Sequence, residues 1–145
     1  MKTIGMIGGM SWESSLEYYR ILNEAVKERL GGVHSAKCVL YSVDFAEIEA
    51  LQKEGRWDEA TQAMIEAAQR VESGGADFLI ICTNTMHKMA DEVQANIGVS
   101  DSTVLPFCGD SSVTTSAAVG AQPNKATRTT TKSTAYFFIV NLLKF

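Results

Sequence analysis

Short apolar runs, glycine-bearing turns and amphipathic stretches follow one another in a regular order over the first hundred residues. Residues 3–8 (TIGMIG) form an apolar run closed by glycine, the pattern of a buried strand. An amphipathic helix is expected from about Ser14, whose spacing to Glu17 suits a capping box. Leu16, Tyr19, Leu22, Val26 and Leu30 recur along it at helical intervals, and Gly31-Gly32 should stop it. Residues 38–43 (CVLYSV) read as a second strand. A short helix around Phe45, Ile48 and Leu51 should end by Gly55. A longer one carries Trp57, Ala60, Met64, Ala67 and Val71 on one face and stops at Gly74-Gly75. Residues 78–82 (FLIIC) are a third strand, apolar on both faces. The stretch TMHKMADEVQANI then reads as one helix with Met86, Met89, Ala90, Val93 and Ile97 inward, and residues 103–107 (TVLPF) as a fourth strand.

Strands that alternate with helices and are apolar nearly throughout indicate an α/β fold, a parallel sheet with helices on both faces. Ligands bind such sheets beyond the carboxyl ends of the strands. Two loops fall at that edge: GGMSWES after the first strand and CTNT after the third.

Composition narrows the function. The chain is 46% hydrophobic and 21% charged, with a net charge of −4 and no dense basic cluster, so nucleic acid is not an expected partner. No apolar run approaches the ~20 residues of a membrane helix, and the N-terminus reaches Gly8-Gly9 too early for a signal peptide. Cys38, Cys82 and Cys108 are an odd set without CxxC spacing, which supports neither a disulfide framework nor a zinc site. A reduced, cytoplasmic protein is the expectation. Residues 111–145 break the pattern: they hold Lys125, Arg128, Lys132 and Lys144 with no acid, and are crowded with Ser and Thr before an apolar end. The expected division is therefore an α/β unit over 1–110 and an atypical tail over 111–145.

GMIGGM lacks the GxGxxG spacing and no GxxxxGK[ST] occurs, so neither nucleotide cradle is expected. In CTNT, by contrast, hydroxyls, an amide and the unpaired N–H groups of a helix start converge, which suits a carboxylate. Capping by Asn84 or Thr85 is the commoner role of such residues on local sequence alone.

MKTIGMIGGMSWES, HSAKCVLYSVDFAEIEALQ and GADFLIICTNTMHKMAD together resemble the cofactor-independent aspartate/glutamate racemases, over residues 1 to about 98. The likeness is nearest to a branch acting on amino acids broadly. It implies one lobe of a two-lobed α/β fold, usually a homodimer, with a small-molecule amino acid in the cleft and neither metal nor other cofactor. Racemisation removes the Cα proton from one face and returns one to the other, so an accurately placed base and electrostatic stabilisation of the carbanion are needed. The family pattern Cys-Asn-Thr aligns with Thr83-Asn84-Thr85, which implies Thr83 as the first-lobe catalytic residue, with Cys82 as the alternative. Neighbours on a strand point oppositely, so the two cannot share one position. The resemblance further implies substrate contacts from Met10, Ser11, Gln52, Asn84 and Thr85. His34 and His87 are expected as surface or capping residues, Trp12 and Trp57 as core anchors, and Cys38 as inert.

The second-lobe motif, a cysteine in a Gly-Cys-Thr-Glu context, has no counterpart in the sequence, and Cys108 in PFCGDS does not match it. The chain thus reads as a first lobe joined to an unrelated tail, through truncation, altered splicing or a frame error. Two functions stay open: an amino-acid racemase, impaired in this form, or an inactive remnant or small-ligand binding module using the same loops.

Overall fold

Parallel pairing of the three apolar runs builds the sheet in the computed structural model, which describes residues 1–83 and 85–99. The strands are β1 (Ile4–Gly8), β2 (Cys38–Ser42) and β3 (Phe78–Ile81), in the order β2-β1-β3. Register runs from Ile4 opposite Cys38 and Phe78 to Ile7 opposite Tyr41 and Ile81. The expected fourth strand, Asn84, Cys108 and the tail 111–145 lie outside the described residues.

Strand alternation sorts the core into two layers. Ile4, Met6, Phe78, Ile80 and Cys82 face α1 (Trp12–Leu30) and pack with Tyr18, Leu22, Ala25 and Val26. Ile7, Leu79 and Ile81 face the other way, onto α2 (Phe45–Lys53), α3 (Trp57–Ser73) and α4 (Ala90–Ala95) through Ile48, Met64, Ala68, Val71 and Val93. Each such large side chain removed from water contributes about 1.5–3 kcal/mol, so these two layers hold the fold together.

Four expectations are corrected. First, α1 begins at Trp12 with Ser11 as its N-cap, the Ser11 hydroxyl accepting the Ser14 N–H at 3.4 Å; Ser14 is already inside the helix. Its sheet-facing stripe is Ser15, Tyr18, Leu22, Ala25 and Val26, so Leu16 (59% exposed), Tyr19 (45%) and Leu30 point outward. Second, Trp12 and Trp57 are not core anchors. Trp12 is 65% exposed at the outward start of α1, and Trp57 lies half open beneath Lys88 Nζ, 5.1 Å from its ring centroid. Third, the helix after β3 is split. A 3-10 turn (Thr85–Met89) precedes α4, since its three-residue period sets Met86 and Met89 over one another, both buried. Fourth, β2 is not covered on both faces. It pairs with β1 alone among the described residues, and Leu40 faces an open groove beside Trp12, Leu16 and Tyr19.

Glycine ends α1 as expected: Gly31, at φ 72°, donates its N–H to the Lys27 carbonyl. No helix among the described residues is long and apolar enough to cross a membrane.

Candidate active site

Because the strands are parallel, their carboxyl ends arrive together. β1 is central, so the turn after it is flanked by the ends of β2 and β3. Residues 9–11, 43–44, 82–83 and 85 therefore share one edge.

The first loop is set by backbone packing. Gly9 has φ +92°, and a Cβ there would lie 2.2 Å from the Val43 carbonyl oxygen. Val43 in turn donates its N–H to the Gly8 carbonyl at 3.0 Å. On the other side the Ser15 hydroxyl accepts the Gly9 N–H at 3.0 Å. Met10 follows with its side chain buried among Ile48, Met86 and Ile7, leaving its backbone at the edge. Ser11 caps α1 and donates its hydroxyl to Glu13 Oε2 at 2.8 Å. The first N–H groups of a helix have no intrahelical acceptor; here Ser11 takes that of Ser14, and the Glu13 carboxylate shares the corner.

The loop after β3 separates two neighbours. Cys82 donates its N–H to the Ile7 carbonyl at 2.8 Å, and its side chain is fully buried on the α1 side with Ile4, Met6 and Tyr18. Burial pushes its thiol up to about 12, far from a proton carrier's range near neutral pH. Thr83 comes next, half-buried and past the last strand residue. Thr85 is exposed at the start of the 3-10 turn.

Gln52 joins this group from α2. It is half-buried, and its Nε2 donates to Met86 Sδ at 3.0 Å, which ties the end of α2 to the segment after Thr85. The structure thus brings Met10, Ser11, Gln52, Thr83 and Thr85 to one end of the sheet. Cys38 and His34 stand apart. Cys38 is half-buried in β2 with its thiol raised by desolvation, and His34 is exposed ahead of β2. His87 is half-buried within the 3-10 turn. Among the described residues no three His, Cys, Asp or Glu side chains gather as a metal ion would need.

Ser15 and Val43 are parts of this edge that the sequence pattern does not mark. Val43 acts through its backbone and leaves no trace in the residue pattern. Ser15 was concealed because the stripe expected for α1 was rotated toward Leu16 and Tyr19.

Comparison with known proteins follows the same lines. The sequence profile of the family described as Asp/Glu/hydantoin racemase matches residues 7–132, and so runs past the composition change near residue 110. A crystal structure of a candidate Asp/Glu racemase from Yersinia pestis matches at 55% identity and a TM-score of 0.65, covering 66% of this chain and 42% of that one. An aspartate racemase homologue from Pyrococcus horikoshii matches at 30% identity and a TM-score of 0.64, covering 74% of this chain and 45% of that one. The matched segment therefore spans less than half the length of either neighbour.

Proposed function

Since the chain belongs to the Asp/Glu/hydantoin racemase family, we propose that its strand-end loops form one half of an amino-acid racemase site, working on the Cα proton without a cofactor. The observation that carries this reading is the split between Cys82 and Thr83. The buried thiol, raised to about 12, belongs to the core, which leaves the half-buried Thr83 as the candidate at the end of β3. In this reading the substrate carboxylate lies against the α1 start at Met10 and Ser11 and against Asn84 and Thr85. Gln52 borders the same cleft from α2, and Thr83 serves one face of Cα.

A hydroxyl is a weak base, so Thr83 works through a water or a neighbouring polar group and carries its proton slowly. Inversion also needs a carrier on the opposite face. No side chain at this edge among the described residues fills that role. In this reading the described half-site exchanges the Cα proton on one face, and inversion depends on a carrier supplied from elsewhere for the other. The second reading is a binding module that holds an amino acid or carboxylate with these loops and does no chemistry.

Incubation with L- and D-aspartate and L- and D-glutamate in heavy water, followed by mass and chiral analysis, separates these readings. The racemase reading expects deuterium at Cα of one enantiomer, retention of configuration, and loss of the signal in Thr83→Ala. Saturable binding without any deuterium uptake would establish the binding module instead. Uptake unchanged in Thr83→Ala would remove Thr83 from the chemistry.

A further inference from the structure

Ser15 is the one buried polar side chain among the described residues, at 5% exposure. A serine inside a helix commonly returns its hydroxyl to the carbonyl four residues earlier, and Ser15 does so, donating to the Ser11 carbonyl at 3.2 Å. That bond alone would be local. The second bond is not: the same oxygen accepts the Gly9 N–H from outside the helix, at 3.0 Å. One hydroxyl therefore fastens both ends of the turn that holds Met10.

The surrounding sequence leaves room for this. A Cβ on Gly8 would lie 2.4 Å from the Ser15 oxygen, and one on Gly9 would strike the Val43 backbone on the opposite side. The two glycines thus let the turn pass between the Ser15 hydroxyl and Val43. Without Ser15 the Gly9 N–H would be left buried and unpaired, a state that folded proteins avoid. Movement of the turn would relieve it, and movement there displaces Met10 and Ser11 relative to Thr83.

We infer that Ser15 is a positioning residue for the strand-end site, clamping the 9–11 turn so that its backbone faces the ligand beside Thr83. The clamp is a property of the fold; its effect on chemistry rests on the racemase reading above. Two readouts keep them apart. In the intact chain, NMR should show a slowly exchanging Gly9 amide and a Ser15 hydroxyl proton close to it. In Ser15→Ala, Gly9 exchange should rise by roughly tenfold or more, as for loss of one buried hydrogen bond. Ser15→Thr should restore most of the protection. Where deuterium uptake into aspartate or glutamate is measurable, Ser15→Ala should lower it by about tenfold at saturating amino acid, with recovery in Ser15→Thr.

A Gly9 amide that exchanges rapidly in the unmodified chain, or stays equally protected in Ser15→Ala, would overturn the clamp. An altered Gly9 amide with unaltered uptake or binding would overturn the positioning role alone. Should the unmodified chain take up no deuterium, the racemase reading fails while the Gly9 readout still decides the clamp. In that case Kd for L-glutamate, unmodified against Ser15→Ala, decides positioning. If Ser15→Ala does not fold, the hydroxyl proton and Gly9 exchange in the unmodified chain, together with Ser15→Thr, decide.

Discussion

The two main loops at the ligand edge are held in different ways. The turn after β1 is fixed from outside, by the Ser15 hydroxyl on one side and the Val43 backbone on the other. The loop after β3 is fixed from within: Cys82 continues the alternation of Phe78 and Ile80 into the α1 layer and donates its N–H to the Ile7 carbonyl, and Thr83 follows it half-buried. A turn of the first kind depends on residues distant in sequence. A loop of the second kind is written in its own dipeptide. The first should therefore fail through backbone crowding, and the second through errors in what is buried.

The largest effect should come from crowding the first loop. Gly9→Ala combines a left-handed backbone with a Cβ 2.2 Å from a backbone carbonyl oxygen. Conformational strain of ~1–2 kcal/mol and overpacking of ~1–3 kcal/mol together predict a loss of about 4 kcal/mol. Gly55 is the control, with φ +71° and open space around it, and Gly55→Ala should lose only about 1 kcal/mol. Urea denaturation of both variants tests the contrast. Equal losses would mean that the turn is not pressed between its neighbours.

The second loop should be sensitive to polarity at Cys82. Cys82→Ser puts a hydroxyl among Ile4, Met6 and Tyr18, with an expected cost of about 2 kcal/mol. Cys82→Ala, which removes the sulfur without adding a polar group, should cost less than Cys82→Ser, by thermal or chemical denaturation. If serine is tolerated better than alanine, the site is polar and the assignment of Cys82 to packing is wrong.

How much of this was legible in sequence differs between the loops for the same reason. The burial of Cys82 with Phe78 and Ile80 on the α1 side follows from period-two alternation, which its own run displays. The three parallel strands were legible too, because Ile4, Ile7, Phe78 and Ile81 mark runs that no solvated segment would carry. The orientation of α1 was not. Leu16, Tyr19, Leu22 and Val26 satisfy a helical stripe, yet Leu16 and Tyr19 lie outward, because Tyr18 and Ala25 fit the space over β1 and β3. Periodicity gives a stripe only to within one position, and Ser15 was lost in that interval. Gln52 was placed at the edge by resemblance; its contact with Met86 depends on how α2 meets the 3-10 turn, which local pattern does not encode.

A smaller effect should appear with pH. The Cys82 thiol keeps its proton to about 12 when folded, against an ordinary value of 9.0. Its folded value is raised, so the unfolded chain ionises first. The contribution to stability is whole below about pH 8.5 and falls as pH rises through 9 toward 12, at a slope of up to ~1.4 kcal/mol per pH unit. Between pH 8 and pH 10 the loss should be about 1.4 kcal/mol, and Cys82→Ala should flatten that part of the curve. Denaturation midpoints at the two pH values, compared in both proteins, provide the check. A curve of the same steepness without the thiol would assign the loss to other groups.

The smallest change in stability should come from Thr83, and it carries the sharpest test of the contrast between neighbours. Thr83 is half-buried and outside the strand, so Thr83→Cys should alter stability by less than about 0.5 kcal/mol. With Cys38→Ser and Cys108→Ser in place, Cys82 is the remaining thiol and should react with a soluble disulfide reagent only as fast as the core opens. Adding Thr83→Cys and Cys82→Ala moves the single thiol one residue along the chain. That thiol is expected to reach water and so to supply thiolate at pH 8. The rate should rise by roughly a hundredfold or more, since global or local opening no longer limits it. L-Glutamate or L-aspartate should slow the thiol at position 83 and leave the one at position 82 unaffected. Matching rates at the two positions would show that the chain after Ile81 does not turn its side chains as the strand dictates, and the case for Thr83 would fall with it.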